Sequence, residues 1–382
     1  MPGSAVAEQP LTQSVGENRI VVLALSGIGD ALMFSPALEL LHRRHPGTQI
    51  DLVTMFRAVD ELYRRNSLVR NVFFHDFLHA RPASSIRFLL GLRRRRYDVS
   101  INVYPSNRWH YNLVSLLIGA RKRLGHDYNH ANFRSLNFLN SVRVHEDDRR
   151  HNVEENILLV GRLGEETGGA ATNGSEPPGM TVVLTADDRD SAAAWIAAQK
   201  IDPRSLLIGV HAGSSPVKNH DRRRWAPEKF AQLASRLSVE NNATVLLFGG
   251  PDEAALNRQI SGLAGGRALC VEVPALMTSA AIMKRCSVFV SNDSGLMHLA
   301  AGLRIPTVAI FAYTNPRYVS PWRTPSIVVR RDLECSPCFI YSPRPARCLL
   351  TSNQFRCITE ITVEEVYASV MKLIRDHTSV LR

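Results

Sequence analysis

No stretch of about 20 uncharged apolar residues occurs in the chain, so none has the length of a membrane-spanning helix. The N-terminus lacks a basic region followed by an apolar run, so no secretory signal is expected and the chain reads as cytoplasmic. Acidic residues are in deficit: 35 Asp and Glu stand against 46 Lys and Arg, and the net charge of +11 is locally concentrated at residues 93–96, 121–123 and 222–224. Such a field favours an anionic partner, either a small molecule or lipid head groups at the inner-membrane surface. Nucleic acid is argued against. No DNA- or RNA-binding motif accompanies the charge, and the arginines gather at element ends rather than along one helix. Short tandem repeats and long heptad runs are also missing, which leaves no basis for a solenoid or a coiled coil.

What is present is a chain of 382 residues, longer than the ~250–300 at which one hydrophobic core stops growing, so two domains are expected. From Ile20 onward short apolar runs alternate with longer periodic ones, the pattern of βα units on a parallel sheet. The spacing predicts strands at 20–25, 50–53, 71–75 and 99–104 and helices at 30–44, 59–65, 84–95 and 109–118, with Pro36 starting or kinking the first helix. Residues 164–179, rich in Gly, Thr, Ser and Pro, read as a linker. The alternation then restarts with a strand at Thr181–Leu184 and runs to a strand at Thr307–Phe311, and the capping box Thr362-x-x-Glu365 opens a last helix. The expected organisation is a disordered leader at 1–18, a Rossmann-like α/β domain at 19–163, a linker at 164–180, a second such domain at 181–360 and a C-terminal helix at 361–382.

Polar loops follow several of these strands, where ligands meet doubly wound sheets. Ser26-Gly27-Ile28-Gly29-Asp30 is not a dinucleotide fingerprint, because the third glycine would fall at Leu32. Asp30 reads either as a functional carboxylate or as an N-cap. At Asp293-Ser294-Gly295 a helix start offers free amides and a positive dipole end to a diphosphate, with His298 one turn on; the alternative is a simple cap and a buried histidine. Gly213, Ser214 and Ser215 precede Lys218 and Arg222–Arg224, which suits phosphate binding or a merely solvated basic loop. Glu253, closing Gly249-Gly250-Pro251-Asp252-Glu253, is placed either to accept from a ribose hydroxyl or to offset a helix dipole.

In this order, Ser26–Asp30 with Pro36, Ala212–Ser215 with the basic run before Trp225, Phe248–Glu253, and above all Asn292–Leu303 (NDSGLMHLAAGL) resemble the ADP-heptose:lipopolysaccharide heptosyltransferase family, glycosyltransferase family 9, over about residues 19–322. The resemblance implies a GT-B fold: an N-terminal acceptor-binding domain facing a C-terminal domain that binds a nucleotide sugar, with an ADP-sugar as donor. It also implies an inverting transfer to an anionic glycolipid or glycan acceptor, without a catalytic metal. By that resemblance Asp30 is the general base, Ser294 and Gly295 stand at the donor diphosphate, and Asp293 and His298 contact the donor. Gly29, Gly213, Ser214, Ser215 and Glu253 are carried as donor-side positions. Where many members have a lysine two residues before the tryptophan, this chain has Arg223, so the phosphate cation is either Arg223 or Lys218.

Cys335, Cys338, Cys348 and Cys357 are spaced 2, 9 and 8 residues apart, which is open to a structural Zn or Fe site, free thiols or disulfides. Some protein-modifying relatives of the heptosyltransferases carry a cysteine-ligated iron in this region. Two rival functions fit the architecture: a nucleotide-sugar 2-epimerase, which would need further acid–base groups around the sugar, and a non-catalytic sugar-nucleotide-binding protein, which would have lost the base. Asp30 is present.

Overall fold

The computed structural model describes residues 19–130, 132–163, 176–215, 217–339 and 345–378; the leader at 1–18 and most of the linker lie outside the described residues. The first half runs β1 (Arg19–Ala24), α1 (Ile28–Arg44), β2 (Gln49–Thr54), α2 (Arg57–Tyr63), β3 (Asn71–Phe74), α3 (Pro82–Arg93), β4 (Val99–Asn102), α4 (Trp109–Ile118), β5 (Lys122–Asp127), β6 (Val142–His145) and α5 (Asn152–Gly161). The second runs α6 (Ala186–Ala198), β7 (Leu206–His211), α7 (Pro227–Asn241), β8 (Ala243–Leu247), α8 (Ala254–Leu263), β9 (Ala268–Cys270) and α9 (Leu276–Met283). It ends with β10 (Val288–Asn292), α10 (Gly295–Gly302), β11 (Thr307–Ile310), α11 (Pro316–Val319), β12 (Ser326–Val329), α12 (Arg356–Thr359) and α13 (Val363–Thr378).

Each half is a six-stranded parallel sheet, ordered β3-β2-β1-β4-β5-β6 and β12-β11-β10-β7-β8-β9, the same winding used twice. Val22 lies opposite Leu52 and Ile101, and Val210 opposite Val290 and Leu247. The central strands are buried on both faces, as strands covered by helices on two sides must be. Strand order reverses between β1 and β4 and between β7 and β10, which opens a crevice at the carboxyl edge of each sheet.

Three strands escape the sequence pattern. β5 carries Lys122, Arg123, His126 and Asp127 and β6 alternates valine with Arg143 and His145, so neither reads as a buried apolar run, while the short apolar run Ile327–Val329 of β12 lies at a sheet edge. Conversely, the expected strand at Thr181–Leu184 joins neither sheet. Its chain is held by side chains instead: the Thr181 amide donates to Ser35 Oγ (3.1 Å) and Trp322 Nε1 donates to the Pro178 carbonyl (3.0 Å), while Met180 is buried.

Pro36 does not start its helix but sits inside α1. The amide it lacks would have bonded the Leu32 carbonyl; Ser35 Oγ donates to that carbonyl at 2.7 Å. One hydroxyl therefore both repairs the helix and anchors the connection between the halves. The halves share a continuous core in which α1 packs on α10 and α2 and α6 pack on α9. Arg65 adds a two-pronged ion pair to Asp188, both contacts at 3.0 Å.

Replacing Ser35 by alanine should cost about 1–2 kcal/mol in urea unfolding. The loss should be smaller by about 1 kcal/mol when Pro36→Ala supplies the missing amide. An equal loss in both backgrounds would refute the repair.

Candidate active site

Gly27 occupies the N-cap of α1, and Asp30 is the third residue of the helix, in its first turn. The N-cap reading of Asp30 is therefore corrected: its carboxylate stands inside the positive end of the helix, where a negative charge is stabilised. Its neighbours come from the other side of the switch point. The Tyr111 phenol is pushed up by burial, lowered by the charge of Arg108 and raised again by that of Asp30. Arg108 and Tyr111 were not legible as site residues, because the loop after β4 has no glycine signature; their signal was position alone, at the carboxyl end of a central strand.

Across the interface, Ser294 caps α10 by accepting from the Met297 amide (3.4 Å). The starts of α1 and α10 touch. A β-carbon on Gly29 would lie 2.8 Å from His298 Cδ2, and one on Gly295 would lie 2.5 Å from Ile28 Cγ2. Gly29 thus serves close approach between the halves, and the Asp30 turn, Gly295 and His298 are brought together.

Behind this junction the polar loops bind one another. His211, at the end of β7, contacts Ser294 Oγ through Nδ1 (2.9 Å) and Glu253 through Nε2 (3.0 Å). Burial raises the Glu253 carboxyl, but the His211 contact and charge, the Gly250 amide (3.1 Å) and Arg224 outweigh it and hold the pKa below the ordinary value. Glu253 also fills the space over Gly213, where a β-carbon would fall 1.7 Å from its Oε1. Ser214 Oγ donates to the His220 carbonyl (2.8 Å) and accepts from Arg224 Nε (3.2 Å), so it braces the basic loop. Asn292 joins the loops through Ala212 (2.7 Å) and the Trp225 amide (3.0 Å).

Arg223 and Asp293 form a buried ion pair at 2.5 Å, and Thr314 Oγ1 donates to the same carboxylate oxygen at 2.7 Å. Ser215 is exposed, and the Lys218 side chain lies outside the described residues. Among the described residues, three buried polar atoms at this junction find no hydrogen-bond partner: Ser26 Oγ, Arg223 Nε and His298 Nδ1. Buried groups of this kind call for a partner.

Two histidines here are held neutral. Burial lowers His298 to about 4, with Asp293 raising and Arg223 lowering it further. His151 is lowered to about 4 by burial and by His298, against a raising contact from the Ser320 carbonyl. His151 Nδ1 accepts from the Val153 amide (3.2 Å) to cap α5, so its Nε2 carries the proton that is donated to Ser320 O (2.9 Å).

Cys335, Cys338, Cys348 and Cys357 line one cavity of about 20 Å³, with Tyr313 and Phe355 among its walls. The cysteines are free thiols, and among the described residues no group of three or more His, Cys, Asp or Glu side chains is arranged to hold a metal. The tail is not remote from the site. Tyr313 accepts backbone bonds from Cys338 and Phe339, and its hydroxyl donates to Asn219 O (3.1 Å) in the turn that carries Arg223.

The sequence profile of glycosyltransferase family 9 (heptosyltransferase) matches residues 86–345. The lipooligosaccharide heptosyltransferase 2 of Haemophilus influenzae is 24% identical over 320 residues, 81% of this chain and 88% of that protein. The glycosyl transferase family 9 structure from Veillonella parvula has a TM-score of 0.76 at 21% identity, covering 95% of this chain and 99% of that one. The E. coli ADP-heptose lipopolysaccharide heptosyltransferase II has a TM-score of 0.72 at 21% identity, covering 94% and 99%. The paired six-stranded sheets are those of a GT-B fold.

Both histidines have folded pKa values of about 4, below the ~6.5 of an unfolded chain. As pH falls the unfolded state takes protons first, so stability is complete above about 6.5 and declines toward 4, by up to about 2 kcal/mol per histidine at pH 5. Urea midpoints at pH 7 and pH 5 should therefore differ less in His151→Gln than in the wild type. Identical pH slopes would overturn the assigned neutral tautomer.

Proposed function

The chain belongs to glycosyltransferase family 9 and is a glycosyltransferase; from that premise we propose that it moves heptose from ADP-heptose to a hydroxyl of a lipopolysaccharide-core or related acceptor, with inversion and with Asp30 as general base. The observation that carries this reading is the contact between two helix starts, which brings the Asp30 turn against Gly295 and His298. The first half would then bind the acceptor and the second the nucleotide sugar.

The acceptor oxygen attacks the anomeric carbon from the face opposite the diphosphate. Its proton passes to the Asp30 carboxylate, and the carbon–oxygen bond to the diphosphate breaks with its electron pair leaving on ADP. The free amides at the start of α10 would receive that diphosphate. His298, neutral at working pH, can accept or donate a hydrogen bond without adding charge. Arg223 would meet the diphosphate from its pair with Asp293, and Lys218 is the other candidate cation. Glu253 acts as a brace for His211, which keeps Ser294 in place, and its remaining oxygen is the one available to a ribose hydroxyl. Work at the cytoplasmic face of the inner membrane would suit a lipid-borne acceptor; no helix among the described residues is long and apolar enough to cross a membrane.

By donor chemistry the four cysteines would suit a structural zinc or iron ion, since soft thiolates match those metals, once their side chains, which are not arranged as a metal group among the described residues, converge on the cavity they line. Burial and the neighbouring cysteines raise the thiols of Cys338 and Cys357, a crowding that a bound cation would relieve. Such an ion would tie the tail that supports Tyr313 and take no part in transfer.

Asp30→Asn should lower turnover by ~10²–10⁴ while donor affinity and melting temperature stay nearly unchanged. Transfer at near wild-type rate would remove Asp30 from the chemistry. Elemental analysis of the purified chain should find about one equivalent of Zn or Fe, with four thiols becoming reactive after chelation. Four thiols reactive from the outset, without metal, would end that part of the proposal.

A further inference from the structure

Seven of the ten large hydrophobic side chains exposed among the described residues fall between residues 78 and 138. Those on α3, α4 and the turns of Phe133 and Phe138 belong to one layer. α3 and α4 pack together on the same side of the first sheet, with Leu89, Leu92, Val114 and Ile118 turned inward. On the opposite side of α3, Ile86 (57% exposed) and Leu90 (51%) stand four residues apart, one above the other. Helical spacing puts Arg87 and Arg94 on that same outward side, and among the described residues neither side chain has a hydrogen bond or ion pair. Trp109 (54% exposed) opens α4 at the sheet edge that bears Asp30. Phe133 and Phe138 stand on turns beside α4 with their rings 6.2 Å apart. The charge is equally one-sided: residues 81–123 contain ten Lys and Arg, and Asp98 is their single acid.

Exposed aliphatic and aromatic side chains gathered among arginines mark an interaction surface rather than an ordinary solvated one. Two such faces would repel each other in a dimer, and Ile86 and Leu90 offer nothing to a phosphodiester backbone. The combination suits a bilayer, where apolar side chains enter the head-group boundary and arginines meet anionic lipid. We propose that the α3–α4 face docks this enzyme on an anionic membrane, delivering a lipid-borne acceptor to the edge where Asp30 stands. The inference deepens the acceptor reading above and rests on it for its role in catalysis.

The test is flotation of the full chain with vesicles of phosphatidylcholine alone or mixed with phosphatidylglycerol, without donor or acceptor. The chain should bind the anionic vesicles selectively and less so as salt rises. R87E/R94E should weaken binding by at least ~30-fold. I86S/L90S, which touches only exposed positions, should weaken it by ~10-fold or more with an unchanged melting temperature. Equal binding to both vesicle types, no binding, or wild-type binding by both variants would overturn the proposal. So would self-association or RNA binding that replaces vesicle binding and is lost in these variants. Because no sugar donor is present, failure to transfer sugar would sink the proposed reaction while leaving a positive flotation result intact.

Discussion

The starts of α1 and α10 approach so closely that neither Gly29 nor Gly295 has room for a β-carbon, and the groups of the site take their places from that contact. Both helices point their positive ends into the junction, so negative charge is favoured there from two sides. Asp30 supplies one such charge from within the chain, and the start of α10 leaves free amides for another. A side chain on either glycine would push the halves apart and separate Asp30 from the opposite loops. The shared core of α1, α10, α6 and α9 and the Ser35 anchor hold the approach from behind.

Around this junction the polar residues are chiefly occupied with one another. Glu253, His211 and Ser294 form a chain from the β8 loop to the cap of α10, and Arg223, Asp293 and Thr314 form a second from the basic turn to the loop after β11. Partners of this kind preorganise a site, because a buried side chain with its bonds made does not have to be ordered when ligand arrives. The cysteine-lined tail belongs to the same construction through Tyr313, so a region that looks peripheral in the chain supports the turn that carries Arg223.

The outer layer of the first half is built on a different rule. Its inward residues pack like any helix face on a sheet, whereas its outward ones combine Ile86 and Leu90 with arginines that have no partner among the described residues. If the acceptor is anchored in lipid, as proposed, a surface of this chemistry near the crevice would confine the enzyme and its acceptor to one plane.

Local chemistry was enough to read the alternation of strands and helices, the two halves, the polar loops at the carboxyl ends of central strands and the gathering of arginines, because apolar periodicity, glycine turns and charge runs are properties of neighbouring residues. Strands β5, β6 and β12 stayed hidden, since a charged or edge strand gains its place from the sheet beside it and not from its own pattern. Tertiary structure alone decided that Thr181–Leu184 is strapped by side chains, that Pro36 lies inside a helix repaired by Ser35, and that Arg223 is paired with Asp293. It alone brought Arg108 and Tyr111 beside Asp30, His151 beside His298, and four cysteines around one cavity. Each of these depends on residues far apart in the chain meeting across a packed interface, and separation in sequence carries no record of that distance.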